Sequence, residues 1–308
     1  MQPITPPISK ELLLKELNKD RFVRTTNYGD NEIYIVTHHD SPNVMKEIGR
    51  LREESFRDAG GGTGKEIDID DFDTTPNMPY KQLIVWDPIE NEIIGGYRYI
   101  KCKDVPFDKD GNPQLATTEI LTFSKKFIAE YIPYTVELGR SFVQPKYQPS
   151  KNRKGLFSLD NLWDGLGAVV VDNPDVKYFY GKVTMYTDFN KEARDLILFF
   201  MNFYFPDADK LVVPKNPLKL EGDSAKMESF FKGLDYKEGF KVLNAKVREL
   251  GENIPPLVNQ YMNLSPTMKM FGTAVNDHFG DVEETGILVT IADIYESKKE
   301  RHIISYKK

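Results

Sequence analysis

Residues 136–157 read VELGRSFVQPKYQPSKNRKGLF and bring together groups suited to acid–base chemistry and to anion binding. Glu137 and Arg140 flank Gly139 inside an apolar, β-branched run over 136–143 that reads as a buried strand. Strict alternation puts Glu137, Gly139 and Ser141 on one face and Leu138, Arg140 and Phe142 on the other. A bulge at Gly139 would break that rule. It would let Glu137 and Arg140 meet, and would leave backbone N–H groups unpaired near Phe142 and Val143. Free N–H groups beside a buried carboxylate make an oxyanion hole next to a base. A purely structural buried ion pair is the alternative, and the residues alone weigh the two equally.

The loop that follows carries Lys146, Lys151, Arg153 and Lys154, with no acidic residue from Ser141 to Leu159, in a chain of formal charge −6. It runs into a helix N-terminus at about Ser158, so local charge and helix dipole both favour an anion. A basic loop is most often a solvated face. This one is confined to a few residues of an acidic protein and lies beside the candidate carboxylate. Nucleic acid calls for a wider basic surface, so the expectation is a single phosphate group or a small acidic partner, and no nucleic acid.

Two other stretches invite chemistry. AGGGTGKE (59–66) fails as a phosphate loop: its first position is Ala59, Glu66 follows Lys65, and the preceding segment reads as a helix. A helix stop and loop is the better reading. The acidic run EIDIDDFD (66–73) lacks the central Gly and terminal Glu of a calcium loop. It is either a solvated acidic turn or a cluster that holds a cationic amine. His38, His39, His278 and His302 have no metal-ligand spacing, and the single cysteine, Cys102, excludes an internal disulfide and suits a reducing cytoplasm.

The elements that must position these groups follow from periodicity. Strands are expected at 32–38, 80–87, 92–101, 136–143, 178–186 and 286–294, with PIEN as the hairpin turn between the second and third. Helices are expected at 10–17, 43–58, with Val44, Ile48, Leu51 and Phe56 as the apolar stripe, at 158–171, capped by Ser158 or Asp160, and at 191–204. Residues 1–31 read as a lead-in and 32–308 as one domain, with a charged insertion at about 206–256 holding two helices. The order implies one mixed α/β sheet with helices on both faces. A composition of 40% hydrophobic and 29% charged residues suits a globular core. No apolar run reaches transmembrane length and the N-terminus lacks a secretory pattern, so a cytoplasmic protein is expected.

In this order the motifs resemble a known group. The strand, basic loop and helix resemble the acyl-donor-binding part of the GNAT fold. The finer pattern resembles the branch holding the acyl-homoserine lactone synthases. It is most similar to the bacterial amino-acid N-acyltransferases that make ornithine and glycine lipids, often labelled hemolysin-like. Their Arg-x-x-x-Phe pair corresponds to Arg52 and Phe56, their Asp-x-x-Asp pair to Asp70 and Asp73. Arg98 in GGYRYI follows, then Glu-x-x-Arg as Glu137 and Arg140. LDNLWDGL (159–166) resembles their LLW-x-GL helix, and residues 254–281 their PPLL-x-x-YL closing region. The glycine-rich GGGTGKEIDIDDFD is most similar to the glycine-lipid enzymes. The compact phosphate loop of acetyl-CoA-using GNATs is replaced by the looser QPSKNRKG (148–155), which favours acyl carrier protein over CoA as donor.

The resemblance implies a GNAT-like sheet with a helical insertion and transfer of a long-chain, 3-hydroxy fatty acyl group to the α-amine of an amino acid, glycine first. Ornithine or lysine as acceptor, or a non-catalytic acyl-carrier-binding protein, are the alternatives. It implies no bound cofactor: the acyl-phosphopantetheine of acyl carrier protein, or acyl-CoA, is the donor. Glu137 is the expected base, oriented by Arg140. Arg52 or Arg98 would pair with the acceptor carboxylate, Asp70 and Asp73 would attract its ammonium, and Phe56, Trp86 and Phe142 would line an acyl tunnel or belong to the core. Phe142 and Val143 would face the thioester carbonyl, while Lys146, Lys151, Arg153, Lys154 and Gly155 would take the donor phosphate and steer the carrier. Transient contact with the inner membrane surface is compatible with such products.

Overall fold

Alternating apolar residues build an eight-stranded mixed sheet. In chain order the strands are β1 (Phe22–Thr25), β2 (Glu32–Val36), β3 (Lys81–Asp87), β4 (Glu92–Lys101), β5 (Leu121–Phe123), β6 (Thr135–Val143), β7 (Tyr178–Met185), β8 (Val212–Pro214), β9 (Lys269–Asn276) and β10 (Val282–Thr290). The spatial order is β1-β2-β3-β4-β6-β7-β10-β9, with β5 and β8 forming a separate ribbon. Neighbouring strands in the large sheet are antiparallel except β6 and β7, which are parallel. The computed structural model describes residues 1–148, 151 and 153–307, with the backbone alone at 153 and 154.

The α-helices are α1 (Lys10–Glu16), α2 (Pro42–Asp58), α3 (Asp71–Thr74), α4 (Ser158–Asp172), α5 (Lys191–Tyr204), α6 (Ser224–Phe231), α7 (Tyr236–Glu249), α8 (Pro256–Met262) and α9 (Glu296–Lys299). On one face α4, α5, α7 and α8 bury Leu162, Leu166, Ile197, Phe200, Leu243 and Val258 against Leu83, Val136, Leu138 and Val183. On the other, α2 buries the expected stripe of Val44, Ile48, Leu51 and Phe56 against Tyr34, Ile84 and Phe142. The rest of that face is covered by the β5–β8 ribbon and its neighbours around Phe123, Phe127 and Tyr180. Trp86 belongs to the core under α2.

The PIEN turn forms as expected. Asp87 accepts the N–H groups of Ile89 and Glu90 at 3.0 and 3.1 Å, and Asn91 takes the left-handed conformation such turns require. The two helices expected within 206–256 are α6 and α7, and the segment holds β8 besides. Two strands of the large sheet escape the sequence pattern, as do β5 and β8 of the ribbon. β1 is a four-residue edge strand inside the lead-in. β9 is interrupted by Gly272 at φ +86°, opposite a register shift in β10. β10 also begins four residues before the expected 286, because Glu283 and Glu284 disguise its start.

Candidate active site

Strands β6 and β7 run in register from Thr135↔Tyr178 to Leu138↔Gly181 and then separate. Each arm of the opening is held from outside: β6 stays on β4 as far as Val143↔Gly95, and β7 stays on β10 to Met185↔Glu283. A bulge shapes the β6 arm. Arg98 on β4 opposes Gly139 and Gly96 opposes Phe142, so β6 carries an extra residue, and Arg140 sits in the left-handed region at φ +47°. Beyond the bulge the Gln144 N–H bonds Ile94 O on β4 at 3.0 Å, whereas Val143 O accepts from Gln148 Nε2 at 2.8 Å. Alternation therefore turns the Val143 N–H away from β4, toward the opening.

A cavity of about 320 Å³ occupies this opening and passes between the arms. Phe56, Phe142, Leu156, Leu159, Leu257 and Phe279 give it apolar walls, and Phe56 meets Phe279 edge to face with ring centroids 5.2 Å apart. Arg140, Lys182, Thr184, Tyr186 and Glu284 supply its polar groups. Burial, then the nearby Glu284 and Asp188 carboxylates, push the Tyr186 hydroxyl up to about 12, so it remains a proton donor.

The expected meeting of Glu137 and Arg140 does not occur, although the bulge does. Glu137 lies below the bulge and is buried; it receives the Tyr80 hydroxyl on one oxygen and the Thr117 N–H, at 3.0 Å, on the other. Tyr80 in turn accepts the Ala116 N–H at 3.0 Å. Burial and the Glu137 carboxylate push Tyr80 well above its ordinary range, which keeps it the donor. Glu137 is absent from the cavity wall. The left-handed turn at Arg140 swings that side chain toward α2, where it pairs with Asp68 at 2.8 Å and lies 4.2 Å over the Phe279 ring.

Arg140 thereby joins a buried group of three arginines and three aspartates. Arg52 bonds Asp73 at 3.0 Å and also Gln82, which returns a bond to Asp73 at 2.9 Å. Arg98 grips both oxygens of Asp70, at 2.8 and 2.7 Å, and reaches Asp73 at 3.3 Å. Burial alone would raise Asp70, but Arg98, Arg140 and Arg52 outweigh it and hold it at about 2. Neither expected alternative for the acidic run fits: it is no solvated turn, and the cations it holds are the chain's own arginines. Arg52 and Arg98 face these aspartates and not the cavity. The glycine-rich loop is likewise filled from within, since Thr63 and Gly64 direct their N–H groups, at 3.0 and 2.8 Å, onto the Glu53 carboxylate.

Of the donor-side residues, Phe142, Val143 and Gly155 line the cavity. Lys146 pairs with Glu92 at 2.6 Å and Lys151 lies 3.8 Å from Asp58, both on the surface. The Arg153 and Lys154 side chains lie outside the described residues. Helix α4 lacks the expected side-chain cap because the chain enters it from a 3-10 turn at Arg153–Phe157. Ser158 spends its hydroxyl on Tyr147 O at 3.3 Å, and Asp160 pairs with Arg301. Sequence reasoning missed Lys182, Thr184, Tyr186, Phe279 and Glu284. The available signal was charge inside two otherwise largely apolar strands, one lysine in YFYGKVTM and two glutamates in VEETGILVT.

Residues 51–158, from α2 to the start of α4, match the family model described as "Acetyltransferase (GNAT) domain". The whole chain is 58% identical to a glycine N(alpha)-acyltransferase of Phocaeicola vulgatus, covering 94% of that protein. It is 56% identical over 99% of its length to a glycine N(alpha)-acyltransferase of Bacteroides thetaiotaomicron, covering 91% of it. No solved structure matches it. Among the described residues no helix is long and apolar enough to cross a membrane. Similarity on this scale, end to end and on a GNAT-type sheet, means that the chain belongs to the family of the glycine N(alpha)-acyltransferases.

Proposed function

We propose that this chain transfers a long-chain 3-hydroxy fatty acyl group from acyl carrier protein to the α-amine of glycine, as the first step of amino-acid lipid synthesis. The observation that carries the reading is the cavity between β6 and β7, apolar on its walls and charged on the β7 side. A phosphopantetheine arm entering past Gly155 would lie along β6, its thioester carbonyl accepting the Val143 N–H. Such a donor acts where negative charge develops on that oxygen. The glycine acceptor is supported by the two relatives' names and by the polar groups of Lys182, Thr184 and Glu284 in the cavity wall.

In this reading Glu137 is a positioning residue. With Tyr80 and Thr117 it fixes the strand immediately before the bulge, and the bulge aims Val143. Arg140 holds the other side through Asp68. Lys146, Lys151, Arg153 and Lys154 steer an acidic carrier by charge. The test is to incubate purified protein with long-chain 3-hydroxyacyl carrier protein and an equimolar mixture of amino acids, and to read the products by mass spectrometry. N-acylglycine as the dominant product supports the proposal. N-acylornithine or N-acyllysine reassigns the acceptor, turnover only with acyl-CoA reassigns the donor, and bound carrier without product overturns the catalytic reading.

A further inference from the structure

The carboxylate that the cavity presents is Glu284, on β10. One of its oxygens takes both the Lys182 ammonium and the Asn276 amide, the latter at 2.8 Å, and the other lies 3.5 Å from the Thr184 hydroxyl. Lys182 and Glu284 line the cavity with side chains only 10% and 3% exposed. Desolvating such a pair offsets most of its attraction, so it adds little to the sheet that an apolar pair would not. Its position, beside the arm that faces the thioester, calls for another account.

Resting on the proposed glycine acylation, we infer that Lys182 and Glu284 form the acceptor subsite: Lys182 takes the carboxylate of a small zwitterionic amino acid, and Glu284 takes its ammonium and serves as the base. The two charges of such an acceptor are separated by a single carbon, so it can insert into the pair and offer each partner an opposite charge. A free α-ammonium is largely protonated at neutral pH, and a base in contact with it removes that deficit. Glu284 accepts one proton from the nitrogen. The freed lone pair attacks the thioester carbonyl carbon, the C–N bond forms and the C–S bond breaks. The second nitrogen proton goes to the departing sulfur, giving a thiol, and Glu284 releases its proton to water. The products are the N-acyl amino acid, the free thiol and one proton.

The test compares glycine with glycinamide, which keeps the amine and lacks the carboxylate, at saturating 3-hydroxyacyl carrier protein. Lys182→Met should raise KM for glycine at least about tenfold, leave KM for the donor unchanged and remove the preference for glycine over glycinamide, while Lys182→Arg restores part of the loss. Glu284→Gln should lower kcat about 10²-fold. The double variant K182E/E284K retains an ion pair, so a merely structural role survives the exchange; here glycine acylation should be lost. Wild-type rates in the exchanged variant, or an unchanged glycine KM and preference in Lys182→Met, overturn the inference alone. A wild type that forms no N-acyl amino acid overturns it together with the proposed function.

Discussion

Glu137 and Arg140, three residues apart on one strand, face different partners on either side of a bulge. Glu137 is closed in by the Tyr80 hydroxyl and the Thr117 N–H, while Arg140 turns through φ +47° to Asp68 and Phe279. The two are nevertheless linked, because the Arg98 guanidinium lies 5.0 Å over the Tyr80 ring and binds Asp70, which is 3.7 Å from Arg140. A motif that reads as one pair is thus two anchors, one below the bulge and one beyond it.

If Glu137 works through these contacts, removing either end of the Tyr80–Glu137 bond should have the same consequence. Tyr80→Phe and Glu137→Gln should each cost about 1–3 kcal/mol of stability in urea unfolding, as a buried polar group loses its partner. Each should lower turnover, and the double variant should be no worse than the more damaged single one. An additive cycle would assign Glu137 work of its own.

The arginine–aspartate group makes stability depend on acidity. Asp70 sits at about 2 in the folded chain against an ordinary 3.8, so between those values the unfolded chain binds more protons. Its contribution is complete above the ordinary value and is lost as pH falls from about 4 through 2. As pH is raised from about 2 to 4, the unfolding free energy measured by urea should rise by about 2 kcal/mol on account of this residue, and Asp70→Asn should flatten the rise.

Breaking the same group at its centre should cost more. Asp73 is fully buried and touches Arg52, Arg98 and Gln82. Asp73→Asn leaves two buried guanidinium groups short of an anion, and about 3–5 kcal/mol should be lost, read as an earlier urea midpoint. A loss under 1 kcal/mol would show that water replaces the carboxylate.

Much of this arrangement is legible in the residues. The stripe Val44, Ile48, Leu51, Phe56 predicts α2 and its buried face, and the charge of residues 146–154 marks the loop beside the cavity. Arg52, Asp70, Asp73 and Arg98 are recognisable by type and order. Their mutual saturation is not, because it depends on how the 66–73 segment folds back under α2. The Lys182–Glu284 pair is less visible still. The two lie 102 residues apart and meet only through the β7–β10 register. Lys182 within β7, and Glu283 with Glu284 within β10, look like interruptions of the apolar pattern, and β10 is accordingly expected to start after Glu284.

Gly155 tests how tightly the end of the basic loop must pack against its beginning. A Cβ built there would stand 2.3 Å from Tyr147 O and 2.7 Å from the Gln148 carbonyl carbon, both backbone atoms. Gly155→Ala must push the loop outward, costing about 1–3 kcal/mol. Since Gly155 and Gln148 both line the cavity, KM for the acyl donor should rise while KM for glycine holds. Equal changes in both would mean that the whole opening has shifted.

Charge on that loop should govern donor capture more than chemistry. Lys151 is solvent-exposed and only loosely paired with Asp58, at 3.8 Å, so its field reaches an approaching partner. Reversing Lys151, Arg153 and Lys154 to glutamate should raise KM for acyl carrier protein about tenfold at low salt and leave kcat nearly unchanged. Salt screens such steering, so the wild-type KM should climb between 20 and 200 mM NaCl, about the span over which the Debye length falls from roughly 20 Å to under 10 Å. The reversed variant should lose that climb. If the slopes coincide, the carrier docks on another face and the basic loop serves the pantetheine phosphate alone.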